Sequence, residues 1–220
     1  MKRRKLLTLT GLGTTVFGLV STSRSVALST SLPTTQLALA KNERMRLLTE
    51  FRIDADHYQF FVYDSGTDPC PESFYSEPDD NRSDLGSYGQ GYITNGKTIC
   101  FGTAAHLNNH WMEVYSSAQR PEFGQAEKVI ALPLVIDSGN IGITSLLDLN
   151  EPMKKVAVNS GIWTVYLLAF NLGSDPEGDS EVPSDEQLRA DWKAERYKMV
   201  LVPGFQTPIG VLHGAGAKKA

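Results

Sequence analysis

Residues 128–170 read KVIALPLVIDSGNIGITSLLDLNEPMKKVAVNSGIWTVYLLAF, and this stretch decides the fold. It predicts three strands. Val129 to Asp137 is rich in Val, Ile and Leu and stops at the turn-forming trio Ser138-Gly139-Asn140. Ile141 to Leu147 alternates, and Val156 and Val158 are followed by a second turn signal, Asn159-Ser160-Gly161. Ile162 to Phe170 is the last apolar run. β-branched and aromatic runs of this length, interrupted by Gly and Asn, are the signature of strands joined as hairpins.

Upstream of this block the same pattern continues. Asp56 to Asp64 (DHYQFFVYD) places His57, Gln59, Phe61 and Tyr63 on one side and Tyr58, Phe60 and Val62 on the other. Hydrophobes on both sides predict a strand covered on both faces. Gly91 to Phe101 and His110 to Ser116 read as a hairpin pair joined by residues 102–109. Lys41 to Phe51 is read either as a short helix or as a lead into the first strand. Downstream, Asp185 to Lys193 has helical character, Tyr197 to Val202 reads as a closing strand, and Ile209 to Leu212 as one more. Many short strands and little helix predict an all-β protein, a single antiparallel β-sandwich with long acidic loops, over residues 51–213. Residues 214–220 read as a flexible tail.

The first forty residues read as an address. Lys2-Arg3-Arg4-Lys5 is a charged start, Leu6 to Val20 is weakly apolar, and Ser25-Val26-Ala27 offers small residues for a signal peptidase. The expectation is a signal peptide over residues 1–27, or to 40 if Ala38-Leu39-Ala40 is cut, with 28–50 as linker and lead-in. The apolar run is too short for a comfortable membrane span, so no stable membrane insertion is expected after cleavage. The order Arg3-Arg4-Lys5-Leu6-Leu7 resembles a twin-arginine signal, although Lys2 stands where a Ser or Thr is usual. The protein is therefore expected in the periplasm or outside the cell.

Removing that segment changes the charge. The whole chain is formally −4, and residues 1–40 hold five cations and no acid, so the remainder stands at −9. Such a surface repels nucleic acid and anionic lipid and attracts a basic protein partner. The acids concentrate in two loops. Residues 65–91 carry Asp79, Asp80 and Asp84, and residues 173–186 carry Asp175, Glu177 and Asp179. These six are the partner-binding candidates. Ca²⁺ takes such oxygen-rich ligand sets, yet neither loop has EF-hand spacing, and no cofactor is expected.

Catalytic patterns are weak. His106 and His110 are four apart with Glu113 three further on, a spacing that would gather a metal on a helix. Leu107 stands where a zincin would have Glu, and Asn108-Asn109 favours a turn. No Gly-x-Ser-x-Gly elbow and no Gly-rich phosphate loop occurs. The reading is of a non-catalytic chain. Cys70 and Cys100 are the only cysteines. In an oxidising compartment they form one disulfide closing about thirty residues, for roughly 2–4 kcal/mol; otherwise Cys100 is a small buried hydrophobe in an apolar strand.

Two stretches carry a family resemblance. His57-Tyr58-Gln59-Phe60-Phe61-Val62-Tyr63-Asp64 resembles the opening strand of the competence J-type proteins, small inhibitors of a DNA-entry nuclease, and of immunity-like β-domains. The order of Val129–Ile136, Gly139–Ser145, Gly161–Tyr166 and Tyr197–Leu201 resembles the rest of that framework. The resemblance lies in strand pattern and order, over most of residues 56–203. It implies one β-sandwich that binds a protein, a nuclease in that family. The alternative reading is a cation-dependent carbohydrate- or surface-binding module.

Overall fold

The computed structural model describes residues 45–70, 91–105, 109–146, 148–176 and 183–214. In chain order these form β1 (Arg46–Asp54), β2 (Gln59–Asp64), β3 (Tyr92–Thr94), β4 (Thr98–Gly102), β5 (Asn109–Ser116), β6 (Lys128–Ile136), β7 (Asn140–Ser145), β8 (Lys154–Ala157), β9 (Gly161–Phe170), helix α1 (Asp185–Ala190), β10 (Arg196–Pro203) and β11 (Gly210–His213). One sheet has the order β1-β5-β10-β9-β6-β11 and the other β3-β4-β2-β7-β8. The all-β expectation holds, with one departure from a purely antiparallel arrangement. β5 and β10 run parallel, Trp111 beside Arg196 and Leu201 beside Ser116.

Alternation builds the core between the sheets. Ile130, Leu132, Leu134 and Ile136 of β6 face inward with Val165 and Leu167 of β9 and Met112 and Val114 of β5. Phe60 and Val62 of β2, Ile99 and Phe101 of β4 and Ile141 and Ile143 of β7 meet them from the second sheet. Fully burying such a side chain contributes about 1.5–3 kcal/mol, so this layer outweighs any single polar contact in the molecule. β1 also belongs to it. Phe51 and Ile53 point inward while Glu50 and Arg52 point out, and pairing with β5 makes residues 46–51 part of a strand rather than of a helix.

Two hairpins expected from the sequence are absent. Ser138-Gly139-Asn140 leads from β6 in one sheet to β7 in the other, and Asn159-Ser160-Gly161 leads from β8 back to β9. Both neighbour positions of β6 are filled, by β9 and β11, so β7 cannot pair with β6 as a hairpin. Residues 91–101 themselves fold as the β3–β4 hairpin, while β5 lies in the opposite sheet between β1 and β10. Tight-turn residues report that the chain reverses, not which sheet receives it.

The crossing from β6 to β7 needs its backbone donors satisfied, and Asp64 supplies the acceptor. Its carboxylate takes the N–H of Asp137 at 3.0 Å, the N–H of Ser138 at 3.1 Å and the Ser138 hydroxyl. Gly139 provides the left-handed conformation (φ +74°) that the corner requires.

Both outer faces are covered in part. Phe123 and Ala126, in the segment between β5 and β6, pack on Val129, Ala131, Tyr166, Leu168, Val200 and Val202. On the other sheet Cys70, Ile93, Leu146 and Leu149 pack on Phe61, Tyr63 and Cys100, so β2 is buried on both faces as expected. Tyr63 lies over its cross-strand partner Gly142, where an added Cβ would come within 2.6 Å of the ring. Glycine is required there for close approach.

Candidate functional site

The end of the sandwich where β1 stops and β5 and β10 begin collects most of the unusual groups. Register defines it: Asp54 pairs with Asn109, and Arg196 pairs with both Trp111 and Phe170. Glu195, one residue before β10, is 1% exposed. Its carboxylate accepts the N–H of Ala104 at 2.9 Å, of Ala105 at 2.6 Å and of Gly173 at 2.7 Å, and the Tyr197 hydroxyl as well. Its own N–H donates to the Ser174 carbonyl at 2.8 Å. One carboxylate thus ties the loop after β4 to the turn after β9 and to β10. A buried charge is tolerable only when it is hydrogen-bonded in this way.

His110 lies beside this hub. It is 1% exposed and stacks edge-on against Tyr197, with ring centroids 5.6 Å apart. Burial holds its pKa below the usual imidazole value, opposed by the Glu195 charge, a hydrogen bond to the Glu195 backbone, and the more distant charges of Asp175 and Asp54. Its Nε2 has no hydrogen-bond partner, so the bond to the backbone uses Nδ1–H and the ring is neutral at pH 7. Asp54 is raised by burial, which outweighs the nearby Arg52, with Asp148 and Asp185 adding to the rise.

Above this buried layer the surface is aromatic and acidic. Trp192, in the connector from α1 to β10, is 70% exposed, and its carbonyl accepts from Asn171 Nδ2 at 2.7 Å. Tyr58 is 47% exposed, and its carbonyl accepts the N–H of Thr103, the residue before the two amides that Glu195 holds. His57 and Tyr58 both have left-handed backbones, φ 51° and 60°. Two adjacent non-glycine residues in that region cost about 1–3 kcal/mol each and cluster at functional positions. Asp175, Asp185 and Glu186 are exposed, the Lys193 ammonium lies over the Trp192 ring at 5.9 Å, and α1 opens on a Ser184 capping box with Asp185 and Glu186 in its first turn. Arg52 and Arg189 pair with Asp185 and Glu50, fixing the helix against β1.

Of the residues singled out from sequence, Asp175 belongs to this end. Asp79, Asp80, Asp84, Glu177 and Asp179 lie outside the described residues, as does His106. The sequence spacing of His110 and Glu113 does not bring them together. In strand β5 they point to opposite faces, because side chains three apart alternate. Glu113 instead binds Arg196 at 3.1 Å and the Tyr115 hydroxyl at 2.7 Å on the outer face. Among the described residues no three His, Cys, Asp or Glu side chains converge as a metal site. Glu195, Tyr197, Trp192 and Tyr58 were not anticipated as site residues. The only sequence signal was a tryptophan in the polar connector Asp191-Trp192-Lys193-Ala194-Glu195-Arg196.

No family model and no curated protein matches the chain. Two solved structures are similar to it. One is ComJ from Bacillus subtilis, described as the inhibitor of the DNA degrading activity of NucA: 14% identity, TM-score 0.48, covering 72% of this chain and 98% of that one. The other is described as crocagin biosynthetic gene J: 13% identity, TM-score 0.44, covering 74% of this chain and 99% of that one.

Proposed function

We propose that this chain is an exported, non-catalytic domain that binds a basic protein partner through the acidic, aromatic end of the sandwich. In line with the strand-pattern resemblance to competence J-type proteins, we propose that the partner is a nuclease and that binding inhibits it. The observation that carries the reading is Trp192, 70% exposed, with its backbone carbonyl held by the Asn171 amide. Exposing a large indole to water is unfavourable, and Trp and Tyr are the residues enriched at the energetic centre of protein interfaces. The −9 balance of residues 41–220, with Asp175 at this end, complements a cleft built to hold phosphates and would speed encounter with such a cleft. A strained Tyr58 on the same end adds a second rigid aromatic.

The test is direct. Purified protein is titrated against a set of basic, non-specific nucleases while DNA degradation is followed at rising salt. Stoichiometric inhibition that weakens with salt is the expected result. Full nuclease activity at every ratio, together with no complex in size-exclusion runs at low salt, would rule out the inhibitor reading. Calcium-dependent retention on polysaccharide would instead favour the surface-binding module.

A further inference from the structure

We infer that Cys70 and Cys100 are an oxidation site that closes into a cystine staple pinning the strap of residues 65–70 to the outer face of the second sheet. Cys100 sits at the middle of that face, opposite Phe61 of β2 and Ile93 of β3, and is 1% exposed. Cys70 packs on the same small cluster from above.

The strap is tied at both ends, to β2 and to β4. Its start is held by the Thr67 N–H and hydroxyl, each donating to the Asp64 carbonyl at 2.8 Å. Further along, the Thr98 hydroxyl donates to the Asp68 carbonyl at 3.5 Å, and Pro69 is buried. Cys70 is two residues beyond Asp68, and Cys100 two residues beyond Thr98 on the same face of β4. The Asp68 carboxylate also accepts the Cys70 N–H at 2.9 Å, fixing the backbone from which that thiol projects. The pair is therefore brought together by packing on one cluster, Phe61, Tyr63 and Cys100, and by the Thr98–Asp68 bond two residues before each cysteine.

The two sulfurs are chemically unequal. Cys100 donates to Gln59 Oε1 at 3.4 Å, and burial, reinforced by the neighbouring Cys70, pushes its thiol far above the ordinary range. Cys70 is only half-buried. Thiolates are the attacking species, so Cys70 reacts first with a small disulfide oxidant, forming a mixed disulfide and expelling one thiolate. Cys100 then loses its proton and attacks the Cys70 sulfur, expelling the second. One oxidant disulfide breaks, the Cys70–Cys100 bond forms, two electrons pass to the oxidant, and two protons end on its two thiols.

The full-length chain, purified reduced, is incubated with oxidised glutathione and followed by intact mass, by thiol titration in denaturant and by peptide mapping. The expected product is a monomer lighter by two hydrogens, with the Cys70 and Cys100 peptides joined and a higher thermal midpoint. Cys100→Ser should stop at glutathione on Cys70, and Cys70→Ser should remain unmodified while folded. Persistence of both thiols in the folded wild type, disulfide-linked dimers, or modification of Cys100 in Cys70→Ser as fast as of Cys70 in Cys100→Ser would each overturn the inference.

Discussion

The Tyr197 hydroxyl donates to the carboxylate of Glu195 in a region closed to solvent, where the same carboxylate also holds three backbone amides. Burial pushes the tyrosine pKa well up, and the adjacent Glu195 charge and the hydrogen bond push it further. The phenol therefore stays a donor through the neutral range. Tyr197→Phe should cost about 1–2 kcal/mol, since the carboxylate keeps its backbone donors. Glu195→Ala should cost about 3–5 kcal/mol, because buried donors from three segments lose their acceptor. Urea unfolding checks both, as a lower midpoint with an unchanged slope.

Asp64 should make the protein acid-sensitive from the other end. Its hydrogen bonds from Ser138, Asp137 and Gly66 together outweigh burial and hold its pKa below the usual carboxylate value. A depressed folded pKa means that the contribution to stability is present above the unfolded value near 3.8 and is lost as pH falls through the folded one. Asp64→Asn, which cannot accept from all of these donors, should flatten the stability profile in that acid range and cost about 2–3 kcal/mol at pH 7. Melting curves between pH 2 and 7 on both proteins measure it.

His110 acts in a higher pH window. Its folded pKa is depressed by burial below the ordinary 6.5. As pH falls through the unfolded value the unfolded chain takes up a proton that the folded chain refuses, so stability falls with it. His110→Gln should remove this slope. Unfolding free energies at pH 7 and pH 5 should then differ less in the variant than in the wild type.

Gly142→Ala tests the close approach of Tyr63. A Cβ there would meet the ring at 2.6 Å, and the ring is buried, so it has no free space to swing into. Overpacking of this kind costs about 1–3 kcal/mol. Gly142→Ala combined with Tyr63→Leu should recover part of the loss, and a double-mutant cycle reads the coupling.

Trp192→Ala should leave stability within about 0.5 kcal/mol, as surface changes do, and weaken binding to the proposed nuclease partner by roughly thirty-fold, about 2 kcal/mol. Isothermal titration and urea unfolding on the same variant separate the two effects. Equal affinity of variant and wild type would remove Trp192 from the interface.

Sequence alone located most strands and their faces, although it began the second strand at Asp56, where the chain makes a tight helical turn before β2 starts at Gln59. It read three strands in 128–170 where there are four. The alternation in Gln59–Asp64 and the apolar runs of Val129–Ile136 and Ile162–Phe170 are local properties, because side-chain direction in a strand repeats every two residues whatever lies next to it. It also bounded the charge, since counting needs no coordinates. What it left undecided is pairing. Ser138-Gly139-Asn140 looks the same whether the chain turns back beside itself or crosses to another sheet, and only the occupied edges of β6 sent β7 away. The site was hidden for the same reason. Glu195 and Tyr197 are unremarkable within the chain, His110 stood out only for a metal-like spacing to Glu113 that strand β5 splits between two faces, and Ala104 and Gly173 offer nothing but backbone. They become one hub because parallel pairing of β5 with β10 brings their starts together, and that contact is a property of the folded sheet.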